Sequence, residues 1–279
     1  MIQYNPKLWI RLIFQFHKSD TFRILIPSII GIGIYSAIMA YLELEVFHFH
    51  YKATTIIHSL LGLVLSLLLV FRTNSAYDRW WEGRKLWGNL LNNSRNLALK
   101  IAVIIPADNQ ELRDRWGELI VLYAQVLKDH LRGQKSHREG LPNDIHQPNF
   151  IAGKLMAEAH ELYQSKAISG EQLLFINNEL QSFTDICGGC ERIKRTPIPF
   201  AYGLFIKKFI FVYIVTIPFS FIPDYKYAII PIVMFIFYVL TSLELIAEEI
   251  EEPFGKDAND LPIDAITESV RVSVKEILG

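Results

Sequence analysis

Cys187 and Cys190 form a Cys-x-x-Cys pair, the spacing used by dithiol redox centres and by half of many zinc sites. A redox pair needs its thiolate favoured by a helix N-terminus or a metal, usually beside a βαβ unit, and no strand alternation surrounds this one. The two cysteines therefore read as a coincidence of spacing. His48 and His50 stand two residues apart, but no carboxylate or thiolate flanks them at ligand spacing, so a metal has little to hold it there. Arg79, Trp80, Trp81 and Trp87 bring a cation and indole rings together, as a cation–π site would. The same residues suit the anchoring of a helix where it leaves a membrane. No Ser-His-Asp arrangement, His-Glu-x-x-His pattern or phosphate-cradling glycine loop is visible, which points away from an enzyme. The remaining pattern is apolar. Leu60, Leu63, Leu67 and Phe71 recur at intervals of three and four and share one helix face, while Ser59, Gly62 and Ser66 take another face suited to close packing.

The element that positions these side chains is the stretch from Thr54 to Gly88. Thr54 to Phe71 is largely apolar and about as long as a bilayer crossing requires. From Arg72 onward the chain turns to charge and tryptophan with no intervening proline, so one helix is expected to run from the membrane into water. Ile24 to Leu42 makes a first span, with Arg23 at its start, Pro27 in its first turns, and Ser28, Gly31 and Gly33 for close helix contact. Phe200 to Ile222 makes a third, in which Lys207 and Lys208 snorkel to the interface and Pro218 kinks or ends the helix. Pro223 and Asp224 then turn the chain into a fourth span, Tyr227 to Ala247. Pro6 to Lys18 is amphipathic and fits a helix lying at the membrane surface or, equally, one packed on protein.

Between the second and third spans the pattern is helical and amphipathic. The long helix breaks at Pro106 and Asp108, and further helices cover Glu111 to Arg132, Asn149 to Gln164 and Ser169 to Asp185. The organisation is thus an N-terminal interfacial helix at 1–20, transmembrane helices one and two at 21–71, a cytosolic helical domain at 72–197, transmembrane helices three and four at 198–247, and a C-terminal cytosolic segment at 248–279. A mean hydropathy of +0.22 agrees with spans joined to a substantial aqueous part. A net charge of −1 argues against a nucleic-acid binder. Basic residues cluster at Lys7, Arg11, Lys18 and Arg23, at Arg72, Arg79, Arg84 and Lys85, and at Arg192, Lys194 and Arg195. The opposite loops offer chiefly Lys52 and Lys226, so both termini and the large helical segment are expected on the cytoplasmic side.

Three separate motifs carry a resemblance that extends over nearly the whole chain: FRTNSAYDRWWEGRKLWG at 71–88, GGCERIKRTPIPFAY at 188–202 and EEPFGKDANDLP at 251–262. Together they resemble the bestrophin family, in particular its bacterial branch. The resemblance implies an all-α membrane protein with four transmembrane helices per subunit and a cytosolic helical domain, assembled as a homopentamer around one ion pathway in a bacterial inner membrane. It implies that the second membrane helix lines the pathway and that Leu63, Leu67 and Phe71 form the apolar neck. A second constriction on the cytosolic side falls near Glu171. Small monovalent ions are the implied cargo, chloride by likeness to the family at large and sodium by likeness to bacterial relatives. A non-conducting membrane scaffold is the remaining alternative. Eukaryotic bestrophins carry a calcium clasp of acidic residues after Pro-Phe-Gly. Here Asp257 and Asp260 match it, but Lys256 and Ala258 interrupt the run, and calcium takes about six to eight oxygens. The other reading of Asp260 is an acidic linker residue that caps the following helix.

Overall fold

The computed structural model describes residues 20–47, 55–136, 140–142 and 144–279. Its regular elements there are helices: α1 (Asp20–Tyr41), continued by a π-helical turn (Leu42–Phe47), α2 (Thr55–Ile104), α3 (Gln110–Leu131), α4 (Gln147–Gln164), α5 (Gly170–Arg195), α6 (Phe200–Tyr225), a 3-10 turn (Lys226–Ala228), α7 (Ile229–Glu251) and α8 (Ile263–Leu278). The helix expected at Pro6 to Lys18 and the histidines at 48 and 50 lie outside the described residues. The chain divides into two compact units. One holds the residues up to Asp78 together with Pro197–Glu251, and the other holds Arg79–Thr196 together with Glu252–Gly279.

The first unit is apolar. Thr21–Phe47, Ile56–Ile104 and Phe200–Glu251 each include a stretch long and apolar enough to cross a membrane, and the last of these comprises α6, the 3-10 turn and α7. Ile206, Ile210, Ile214 and Ile217 recur every three or four residues, so α6 has one buried stripe, clustered with Leu65 and Leu69 of α2. The small residues divide in their use. A methyl group on Gly33 would come 2.8 Å from the Met234 sulfur, so the absent side chain admits Met234 of α7. Gly31 has nothing within 4 Å and makes no such contact. Pro218 was expected to kink or end the third span, with the turn at Pro223 and Asp224; α6 does not end at Pro218 but continues to Tyr225 with both prolines inside it. Proline removes one N–H donor but fixes φ near the helical value, so it weakens the helix at that point without forcing an exit.

The second unit is built around fully buried rings, Trp87, Trp116, Tyr123 and Phe183, and the Tyr123 hydroxyl donates to the Phe183 carbonyl at 2.5 Å. Its helices start on side-chain caps. Asn109 accepts the Leu112 N–H, His146 accepts the Asn149 N–H, and Ser169 and Gln172 form a reciprocal capping box. The helix expected to end at Asp185 runs ten residues further, to Arg195. Two consecutive glycines are poor helix formers, at about 1 kcal/mol each. Packing overrides this preference. A methyl group on Gly189 would lie 2.9 Å from Leu86, so the glycine is what allows α5 to approach α2 there.

Candidate functional site

The first part of α2 has two sharply different faces. His58, Gly62, Leu65, Leu69, Arg72 and Ala76 follow one another at three- and four-residue steps and are packed or half-packed within the unit. Leu63, Leu67 and Phe71 point the other way, exposed at 59%, 50% and 60%. At 100° per residue, Leu63, Leu67 and Phe71 turn through about 80°, which makes them one stripe. Ser59 and Ser66 were expected on the packing face, and this is corrected: both are exposed, on the same side as Leu63. Only Gly62 of that set packs, with space for a methyl group closed by the Tyr213 hydroxyl at 2.7 Å. Ser66 donates its hydroxyl to the Gly62 carbonyl at 2.8 Å, which satisfies it without a neighbouring helix. Beyond Phe71 the open side carries Asn74, Tyr77 and Asp78.

The packed face is fastened at both ends. Near the start of α2, His58 hydrogen-bonds Thr216 Oγ1 at 3.1 Å and Ser220 Oγ at 3.0 Å, both on α6. Three turns on, the Tyr202 hydroxyl donates to the Leu68 carbonyl at 3.2 Å. The strongest tie is one that sequence reasoning missed. Arg72, directly after Phe71, has a side chain only 6% exposed, and its Nη2 lies 2.6 Å from Glu251 Oε2. The other oxygen of Glu251 accepts the Ile198 N–H at 2.7 Å. From sequence, Arg72 marks where the second span gives way to charge, and Glu251 lies four residues beyond the fourth span. The missing signal is long-range, because nothing local pairs positions so far apart in the chain. Lys207 is likewise held, 2.8 Å from Glu248 and 3.8 Å from Glu244.

In the second unit, the Arg79 guanidinium donates to the Ile193 carbonyl at 2.7 Å and also bonds the Thr196 carbonyl, which fastens α2 to the end of α5. Trp80 donates its indole N–H to the Asn259 carbonyl at 3.0 Å, and Trp87 sits in the core. These residues act as anchors. Glu171 lies in the first turn of α5 and is exposed. A hydrogen bond from Ser169, then one from backbone, holds its carboxyl below the usual range, as an acid at a helix N-terminus should be. One turn on, Leu174 and Phe175 are large apolar side chains left exposed on the same helix.

A family model described as bacterial and fungal bestrophin protein matches residues 1–276. The chain belongs to the bestrophin family. It is 36% identical over 232 residues to a voltage-dependent anion channel-forming protein of Nostoc sp., covering 77% of this chain and 75% of the relative. It is 31% identical over 293 residues to the voltage-dependent anion channel-forming protein YneE of Escherichia coli strain K12, covering 99% and 94%. Among solved structures, a bacterial bestrophin homolog from Klebsiella pneumoniae superposes with a TM-score of 0.83 at 29% identity, over 91% of this chain and 98% of the other.

This bestrophin's acidic turn after Pro253-Phe254-Gly255 bears on calcium. Asp260 is buried, and its Oδ2 accepts the Asp257 N–H at 2.7 Å. A methyl group on Gly255 would lie 2.5 Å from that oxygen, so the carboxylate is seated against the turn's own backbone. Asp257 is exposed instead. The alternative role of Asp260 as a helix cap is corrected. Helix α8 begins after Pro262, which occupies the cap position without a side-chain bond, and Asp260 organises the 257–260 turn. Cys187 and Cys190 are both buried free thiols in the core of the second unit. Burial, then the Glu191 charge, pushes the Cys187 thiol up to about 12, and burial raises Cys190 as well. These are inert packing residues, the opposite of an activated dithiol.

Proposed function

We propose that this chain is one subunit of a pentameric anion channel, with four membrane spans and both termini cytoplasmic, in which α2 lines the pathway and Leu63, Leu67 and Phe71 form its neck. The observation that carries the reading is the open face of α2. The packed side of that helix segment is engaged within the subunit, whereas the open side presents apolar residues, the stripe together with Ile57, Val64 and Val70, interleaved with Ser59 and Ser66 and followed by Asn74 and Asp78. The exposed stripe of α1, by contrast, is purely aliphatic at Ile30, Ile34 and Ile38, as a lipid-facing surface should be. Rings of leucine and phenylalanine offer no ligands to an ion, so a tight neck stops conduction by dewetting and a wider one permits it. An anion is the cargo favoured by the relatives' names, and chloride is the anion implied by likeness to the family.

A passive channel rather than an enzyme or a silent scaffold accounts for this face, and membrane lipid and permeating monovalent ions are its partners. The proposal assigns no calcium requirement to Asp257 and Asp260, so currents in chelator should equal those in calcium. Sodium is the second reading, favoured by the exposed and ionised Glu171, since a ring of carboxylates would attract cations. Reversal potentials of the purified protein in bilayers under a NaCl gradient decide between them. A shift toward the chloride equilibrium potential supports the proposal, a shift toward sodium supports the second reading, and absence of current under all voltages refutes both.

A further inference from the structure

We propose that His130, His146 and Glu191 form a binding site for a first-row divalent metal ion of the zinc type. They come from three places in the second unit: the last turn of α3, the residue that caps α4, and α5. Two imidazole Nε2 atoms and one carboxylate oxygen converge. Glu191 Oε1 lies 2.6 Å from His130 Nε2 and 2.7 Å from His146 Nε2, and all three atoms are within 4.8 Å of one another. The imidazole rings are 4.6 Å apart between centroids. Among the described residues this is the only such grouping of three ligand side chains.

The donor chemistry fits the class. Two neutral imidazoles and one carboxylate are a zinc set that leaves a fourth position for water. All three side chains are half-buried, which fixes them yet leaves an entry path. Bonds of about 2.0–2.1 Å at a tetrahedral angle place ligand atoms roughly 3.3 Å apart, so Glu191 withdraws by roughly 0.6 Å and the two Nε2 atoms, within 4.8 Å of each other, close by up to roughly 1.5 Å. Without metal, Glu191 Oε1 accepts both Nε2–H groups. His146 Nδ1 accepts the Asn149 N–H at 3.2 Å, so its neutral ring carries the proton on Nε2. Metal at Nε2 moves that proton to Nδ1 and breaks the cap. The cap is worth about fivefold in an equilibrium constant, whereas transition-metal sites with imidazole ligands gain many orders of magnitude. Lys194, bonded to the His130 carbonyl at 3.3 Å, and Arg195, 3.3 Å from Glu191, oppose a cation. Arg195 is mostly exposed and free to swing into solvent.

The test uses the full-length protein in detergent, stripped of metal, titrated with ZnCl2 by calorimetry and with CoCl2 by visible absorption. The expected result is saturable zinc binding at one ion per subunit, with tetrahedral cobalt bands. His146→Asn retains a good cap acceptor but removes the imidazole, and should weaken zinc more than about tenfold, as should His130→Gln. A dissociation constant above about 1 mM, or a loss below tenfold in His146→Asn with its metal-free melting temperature unchanged, overturns the site. In that case the three side chains are a hydrogen-bonded latch only. The readout is binding, so it is independent of whether the protein conducts.

Discussion

Glu251→Gln is the substitution that most directly probes how the proposed neck is held. Glutamine has the shape of glutamate and keeps an acceptor for the Ile198 N–H, so the change removes the charge and the acceptor that faces Arg72. Arg72 then remains ionised in a place where its side chain is 6% exposed. The nearest other carboxylates, Glu244 and Glu248, already face Lys207. Removing one partner of a buried pair costs about 3–5 kcal/mol, and here the single glutamine oxygen can accept from Ile198 or from Arg72 but not from both. For a chain of this size, about 3 kcal/mol lowers the melting temperature by roughly 5–10 °C. Phe71 precedes Arg72 by about 100° of helix rotation, so a guanidinium that leaves its pocket turns the aromatic ring with it. Open-state dwell times in bilayers should therefore change alongside the melt. The control is the double variant Arg72→Gln with Glu251→Gln. With no charge left to bury, it should recover more than half of the lost stability, a coupling that the two single changes cannot show. A Glu251→Gln melt within about 1 °C of the parent, or a double variant as unstable as the two singles summed, would refute the assignment of Arg72 and Glu251 as the anchor.

Leu63→Ala, Leu67→Ala and Phe71→Ala should each raise single-channel conductance by widening the neck, and unchanged conductance in all three moves the pathway elsewhere. Cys187 and Cys190 should resist maleimide at neutral pH in the folded protein and react fully after denaturation, because a buried thiol with its pKa pushed up to about 12 holds almost no thiolate. Asp264 is held at about 2, first by its two hydrogen bonds from Arg132 and then by Lys128 at 3.2 Å. Its depressed carboxyl adds stability that is full above about pH 4 and is lost as pH falls through about 2. The side chain is 62% exposed, so solvent screening limits the contribution to about 1 kcal/mol or less. The melting difference between the parent and Asp264→Asn should thus be constant near neutrality and shrink on acidification, and a difference that grows toward low pH contradicts the pairing.

Much of this molecule was legible in the order of its residues. The apolar lengths, the stripe of Leu63, Leu67 and Phe71, and the break at Pro106 follow from local rules: a period of 3.6, the length of a bilayer crossing, and a residue without an N–H. The motifs around Arg79, Cys190 and Pro253 carried the family. Local rules failed where distant packing outweighed propensity. The helix read as Ser169 to Asp185 continues through Gly188 and Gly189 to Arg195, because Leu86 needs the space beside Gly189. Pro218 and Pro223 read as an end, but a fixed helical φ let α6 run on. Ser59 and Ser66 read as packing residues because they are small, whereas only the folded unit shows which side of α2 meets Tyr213. The pairing of Arg72 with Glu251, and the meeting of His130, His146 and Glu191, have no periodic signature. Each depends on elements far apart in the chain arriving at one point, and that is a property of tertiary structure alone.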